Sequence, residues 1–111
     1  MANEHVKQFT DANFESEVLQ SKQPVLVDFW AEWCMPCRAL TPAIEALATT
    51  YNGKAKVGKL DTDANKMVAV KYGITAIPTI LIFKDGQPVK RFVGMKKQDE
   101  LATALNDAGA K

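Results

Sequence analysis

Cysteine and histidine are nearly missing from this chain, with two of the first and one of the second in 111 residues. A structural zinc site takes about four ligands, and only His5 could join the two thiolates. A c-type haem attachment needs histidine directly after the second cysteine, and Arg38 stands there. Charge of one sign is also lacking. The 14 basic and 13 acidic residues leave a net charge of +1 with no basic stripe, which argues against nucleic acid or an anionic membrane as the main partner. No apolar run approaches membrane-spanning length, and Met1-Ala2-Asn3-Glu4-His5-Val6-Lys7 lacks the apolar core of an export signal. A cytoplasmic location is expected, and there a lone cysteine pair is more often catalytic than structural. Repeats, linkers and low-complexity stretches are absent, so residues 1–111 read as one domain built on one core.

What is present is concentrated in Trp33-Cys34-Met35-Pro36-Cys37. Residues three apart at a helix start share a face, with Cβ atoms about 5–6 Å apart. That is near disulfide geometry, so a bond can form and break without refolding the chain. A cysteine at a helix N-terminus faces free N–H groups and the positive end of the helix dipole, which favour thiolate over thiol. The thiolate is the nucleophile in disulfide exchange, so Cys34 is expected to attack and Cys37 to resolve. Pro36 suits the first helical turn, where a missing N–H costs nothing. A purely structural disulfide here would close too small a loop to constrain the unfolded chain much.

The pattern around the pair reads as alternating strands and helices. His5–Phe9 is a short strand, and Thr10 or Asp11 is expected to cap a helix that turns Phe14, Val18 and Leu19 inward. Residues 24–30 form a buried strand leading into the cysteine helix, whose Leu40, Ala43, Ile44, Leu47, Ala48 and Tyr51 recur at helical spacing. Pro42 falls within that stripe and is expected to kink it. A third strand over 55–60 comes next, then a short helix over 65–72 stopped by Gly73. Asp85-Gly86 between 79–83 and 89–93 signals a hairpin, with Lys90 and Arg91 suited to an edge strand. Leu101, Ala104, Leu105 and Ala108 mark a last helix. The order demands parallel crossovers first and an antiparallel hairpin last, hence an α/β domain with a mixed sheet of about five strands and helices on both faces.

Three features interrupt this pattern. Asp28 alternates with Leu26 and Trp30 on a strand face that should be buried, just before the cysteine helix. A buried carboxylate raises its pKa or finds partners. Asp28 is thus either placed to take the proton of Cys37 or structural, bonded to backbone. Lys59 shares a face with Ala55 and Val57 in a strand that could neighbour that of Asp28, and is either solvated or a partner that modulates the carboxylate. Ile77-Pro78 precedes a strand that looks central, where proline fits mainly the first position, and the pattern leaves its cis or trans state open. Trp30 and Trp33 flank the motif, and Trp33 is expected to be partly exposed.

Residues 27–34, Val-Asp-Phe-Trp-Ala-Glu-Trp-Cys, together with Pro42, Lys59-Leu60, Tyr72-Gly73-Ile74, Ile77-Pro78-Thr79, Phe83-Lys84-Asp85-Gly86 and Val93-Gly94, closely resemble the thioredoxin family over nearly the whole chain. The resemblance implies the thioredoxin fold and a protein-disulfide reductase that binds no cofactor. Its redox-active group would be the Cys34–Cys37 disulfide, re-reduced by a thioredoxin reductase, usually with NADPH electrons. It implies Cys34 as nucleophile, Cys37 as buried resolving thiol, Asp28 as the acid near Cys37 with Lys59 as its neighbour, and Ile77-Pro78 as a cis bond facing the cysteines. Trp33, Ile77, Val93, Gly94 and Met95 would rim an apolar surface for disulfide-containing protein substrates, with Met35, Pro36, Ala76 and Pro78 beside them, and the protein would act as a monomer. The chain departs from the family where Met35-Pro36 replaces Gly-Pro and Ala76 replaces a common Gly. Thr62 and Met95 also differ from one common bacterial pattern. These departures bear on redox potential and substrate range, not on the reacting groups.

The expectation is therefore a thiol-disulfide oxidoreductase acting as an electron carrier. A docking or holdase subunit with incidental cysteines is the rival from another class, separated by insulin reduction with dithiothreitol. A glutathione-dependent oxidoreductase is the nearest rival among enzymes, separated by which reductant regenerates the thiols. A periplasmic oxidant would need an export signal.

Overall fold

Strand and helix alternate as their periodicities require in the computed structural model, which describes residues 3–110. The strands are β1 (Val6–Phe9), β2 (Val25–Trp30), β3 (Lys56–Asp61), β4 (Thr79–Lys84) and β5 (Gln87–Val93), and the helices α1 (Met35–Thr50), α2 (Lys66–Lys71) and α3 (Gln98–Asp107). They form one five-stranded sheet in the order β1-β3-β2-β4-β5. β3 pairs in parallel with β1 and β2, while β4 runs antiparallel to β2 and β5. The mixed sheet reflects connection length, since helical crossovers join the early strands and a two-residue turn joins the last two. In that turn Asp85 and Gly86 both take positive φ, 52° and 79°, as a tight hairpin requires. Pro88 is tolerated because β5 is an edge strand. The chain termini, Met1, Ala2 and Lys111, lie outside the described residues, so the domain limits of 1–111 are not drawn there.

Alternation divides the core between the two sheet faces. Leu26, Val57, Ile80 and Ile82 pack beneath Leu40, Ile44 and Leu47 of α1 and Leu101 and Leu105 of α3. Val25, Val27, Phe29, Leu60, Leu81 and Phe83 face Phe14, Val18 and Val68. β2 is buried on both faces, and it is this central strand that delivers Asp28 and the cysteine segment.

The first expected helix is a correction. Glu15–Leu19 is a single π turn with no side-chain cap. Thr10 Oγ1 instead accepts the Asn13 N–H at 3.1 Å. Asp11 reaches across the chain to α2, where its carboxylate accepts the N–H groups of Met67 and Val68 at 3.2 and 2.9 Å. A segment this short holds through Phe14 and Val18 in the core, not through helix propagation. α1 contains Pro42 and runs on to Thr50.

Candidate active site

The backbone leaves β2 at Trp30, turns through a Cys34 N–H bond to the Ala31 carbonyl at 3.1 Å, and enters α1. Cys34 is the N-cap residue, in extended conformation (φ −88°, ψ 107°). Its sulfur fills the role that a serine or aspartate oxygen usually takes, accepting the Cys37 N–H at 3.2 Å. Met35 and Pro36 begin the helix, and Pro36 forfeits no bond there. Cys34 and Cys37 are joined as a disulfide, with Cα atoms 5.3 Å apart. Both cysteines are buried, Cys37 completely.

A second segment closes on the sulfurs. Ile77-Pro78 is a cis peptide bond, and the Ile77 carbonyl oxygen lies 3.8 Å from Cys34 Sγ. Thr79 Oγ1 donates to the Ala76 carbonyl at 2.6 Å, and the Gly94 N–H donates to the Pro78 carbonyl at 2.8 Å. Gly94 has φ +88°, a conformation that glycine adopts without strain. The loop is thereby fixed from both β4 and the end of β5. Ala76 is exposed, Ile77 half-buried and Pro78 buried, so little of the proline side chain reaches the surface. The N–H of Ile77 has no hydrogen-bond partner among the described residues.

Around this junction the apolar side chains of Trp33, Met35, Val93 and Met95 are exposed, and Pro36 lies with them in the open. Trp33 is steadied by its Nε1 donating to Asp63 Oδ2 at 2.8 Å. A cleft of about 180 Å³ runs beside it, lined by Trp33, Thr62, Ile74, Thr75, Ala76 and Ile77. Asp63 and Thr75 escape a sequence reading, because neither belongs to the motif and each reaches the site only through tertiary folding.

Beneath α1 lies the other cluster. Asp28 is fully buried and shares its sheet face with Leu26, which packs against α1. Across β3 its register partner is Lys59. The Lys59 ammonium donates to Thr41 Oγ1 at 3.1 Å and sits 4.0 Å from the centre of the Trp30 ring. Thr41 is one turn beyond Cys37 on α1, so Asp28 and Lys59 underlie the opening turns of the cysteine helix. Neither Asp28 oxygen has a hydrogen-bond partner among the described residues, so backbone bonds do not account for the residue. Burial pushes its pKa up to about 7, with Lys59 pulling in the opposite direction. Lys59 is itself buried and is not a solvated surface lysine.

The arrangement pairs a disulfide at the start of α1 with a buried acid beneath that helix and exposed apolar side chains around the sulfurs. Among the described residues no three His, Cys, Asp or Glu side chains group as a metal site. No helix there is long and apolar enough to cross a membrane.

Comparison with known proteins agrees with this chemistry. The sequence profile of the thioredoxin family matches residues 5–107. Thioredoxin 1 of Synechococcus elongatus is 52% identical over 97 residues, 87% of this chain and 91% of that protein. A Staphylococcus aureus thioredoxin is 50% identical over 97 residues, 87% of this chain and 91% of its own length. The thioredoxin of Pseudomonas aeruginosa is 45% identical over 104 residues, 94% of this chain and 96% of its own length.

Proposed function

The chain belongs to the thioredoxin family and is a thiol-disulfide oxidoreductase, and from that premise we propose how its residues divide the reaction. Cys34 is the nucleophile. As thiolate it attacks one sulfur of a substrate disulfide, forming a Cys34–substrate bond and expelling the other substrate sulfur as thiolate. Cys37 then gives its proton to Asp28 and attacks Cys34 Sγ. The Cys34–Cys37 bond forms, the mixed disulfide breaks, and the second substrate thiolate leaves. Two electrons pass from the cysteine pair to the substrate, and both expelled thiolates take protons from water.

One observation carries this division: Cys34 Sγ caps α1 and accepts the Cys37 N–H. Negative charge on that sulfur is favoured by the N–H and by the helix terminus, while Cys37 lies within the first turn and deeper. Asp28, its pKa raised by burial to about 7, is available as a base near neutral pH. Lys59 tunes that carboxylate and does not itself touch the reacting sulfurs.

Trp33, Met35, Pro36, Ala76, Ile77, Val93, Gly94 and Met95, with Pro78 setting the backbone, form the docking rim for a protein chain. The free N–H of Ile77 offers that chain a backbone hydrogen bond of the strand-addition kind. Taken as a thioredoxin of bacterial type, the chain carries in its Cys-Met-Pro-Cys sequence an apolar, flexible residue next to the nucleophile. The oxidised protein is returned to the dithiol by a thioredoxin reductase drawing on NADPH. It works as a cytoplasmic monomer on disulfide-bearing proteins, with neither nucleic acid nor membrane as partner.

The test is reduction of insulin disulfides, first with dithiothreitol and then with NADPH and a thioredoxin reductase as the electron source. Turnover with both is expected. Regeneration by glutathione alone, with none by the reductase, would place the protein among glutathione-dependent enzymes.

A further inference from the structure

Among the described residues, sulfur is divided between a sheltered pair and an exposed trio. In the disulfide form Cys34 is only 4% exposed, whereas Met35, Met67 and Met95 are 72%, 76% and 49% exposed. An oxidant meeting this form finds no thiolate. Among the described residues, the sulfurs within its reach are thioethers. Two of them flank the exchange site. Met35 is the first residue of α1, between Cys34 and Pro36, and Met95 comes directly after Gly94, whose N–H is bonded to Pro78. Met67 stands on α2, which packs against the other face of the sheet through Val68.

From this division we infer that Met35 and Met95 are a peroxide-sensitive modification site, whose oxidation weakens the docking of protein chains and leaves disulfide exchange itself intact. The inference rests on the docking reading of the rim. In the step, the thioether sulfur attacks the O–O bond of hydrogen peroxide or an alkyl hydroperoxide. An S–O bond forms and the O–O bond breaks. The departing oxygen leaves as water or alcohol, carrying the proton of the transferred oxygen. Sulfur loses two electrons and the peroxide gains two, so no third reactant is needed.

The product sulfoxide is polar, and its oxygen is a hydrogen-bond acceptor. A partner covering the rim strips water from that oxygen, and the surroundings offer little in exchange. Pro36 has no N–H, and Trp33 Nε1 is already committed to Asp63. An acceptor buried without a donor weakens association, here by about five- to tenfold given partial burial. The Cys37 N–H bond to Cys34 Sγ is not touched, so the reactivity of the pair persists. Met67 oxidises without consequence for docking and serves as an internal control. Methionine sulfoxide reductases reverse the change, which makes the site a reversible one.

The disulfide form is treated with hydrogen peroxide, the oxidised methionines are located by peptide mass spectrometry, and kcat and KM are measured for insulin and for a small aromatic disulfide. Sulfoxide is expected at Met35, Met67 and Met95, with KM for insulin raised about five- to tenfold and the rate on the small disulfide unchanged. Compared before and after peroxide, Met35→Leu is expected to lose most of the sensitivity and Met67→Leu to keep it. A methionine sulfoxide reductase is expected to restore the KM of the parent. Met35 left unoxidised, Met35 oxidised with no change in KM, or equal losses on both disulfides would overturn the inference. Val93→Ser in untreated protein tests docking by itself: a raised insulin KM upholds the rim, and an unmoved one overturns the rim and the inference with it.

Discussion

Asp28 and Lys59 stand opposite each other across β2 and β3, yet the ammonium does not bond to the carboxylate. It is held by Thr41 Oγ1 and the Trp30 ring, and both Asp28 oxygens are left buried without partners among the described residues. A lysine at this position lowers the cost of the carboxylate through space without neutralising it in a salt bridge. The acid is therefore kept near neutral pKa, where it can both take and return a proton.

That placement sets the sign of the pH dependence. Asp28 titrates at about 7 in the folded protein against an ordinary 3.8, so the folded state holds its proton more tightly than the unfolded one. The stability this confers is fully present below about pH 4 and is lost as pH rises through about 7. The slope is at most about 1.4 kcal/mol per pH unit for one proton. Denaturant unfolding of the disulfide form across this window is expected to show the decline in the parent and not in Asp28→Asn. An equal slope in both proteins would contradict the assignment.

Lys59→Met removes the charge that pulls the Asp28 pKa down. The carboxyl is expected to titrate higher than in the parent, as tracked by carboxyl-carbon NMR, with the loss of stability moving to higher pH in step. A downward shift would mean that the lysine acts on Asp28 through packing and not through its charge.

Met35 sits at the first helical position with its side chain in solvent. Glycine there loses at most about 1 kcal/mol of helix preference, and both redox states keep the turn, so most of that cancels. Met35→Gly is expected to move the reduction potential by less than about 20 mV while changing the rates on different protein substrates unequally. A much larger shift would assign Met35 to the chemistry, and equal rate changes would remove it from docking.

Asp11 satisfies two N–H groups at the start of α2 from more than fifty residues away. Asp11→Ala is expected to cost about 1–2 kcal/mol in denaturant unfolding, with Asp11→Asn milder. A loss within error for the alanine variant would show that water replaces the carboxylate at no cost.

Local signals carry most of this fold. Val25–Trp30, the α1 stripe and Asp85-Gly86 each declare their structure through neighbours in sequence, and so does the cysteine pair at a helix start. Contacts made at long range are not legible in this way. Asp11 resembles a local cap because cap residues are recognised by the apolar spacing just beyond them, and nothing in the sequence points from residue 11 to residue 68. The burial of Lys59 needs Thr41 and Trp30 to be brought over it by α1 and β2. The cis state of Ile77-Pro78 is implied by the family resemblance and not by the pattern. Asp63 becomes visible only once Trp33 is seen to donate to it.

The division of labour between the two cysteines is tested most directly by trapping. With Cys37→Ser the first exchange proceeds and the second cannot, so a disulfide-bonded protein substrate is expected to accumulate as a covalent complex through Cys34, identified by mass spectrometry of the linked peptides and released by dithiothreitol. Cys34→Ser is expected to trap none, and in the reduced parent Cys34 is expected to alkylate faster than Cys37. A complex linked through Cys37 in the Cys34→Ser protein, or faster alkylation of Cys37, would reverse the roles assigned here.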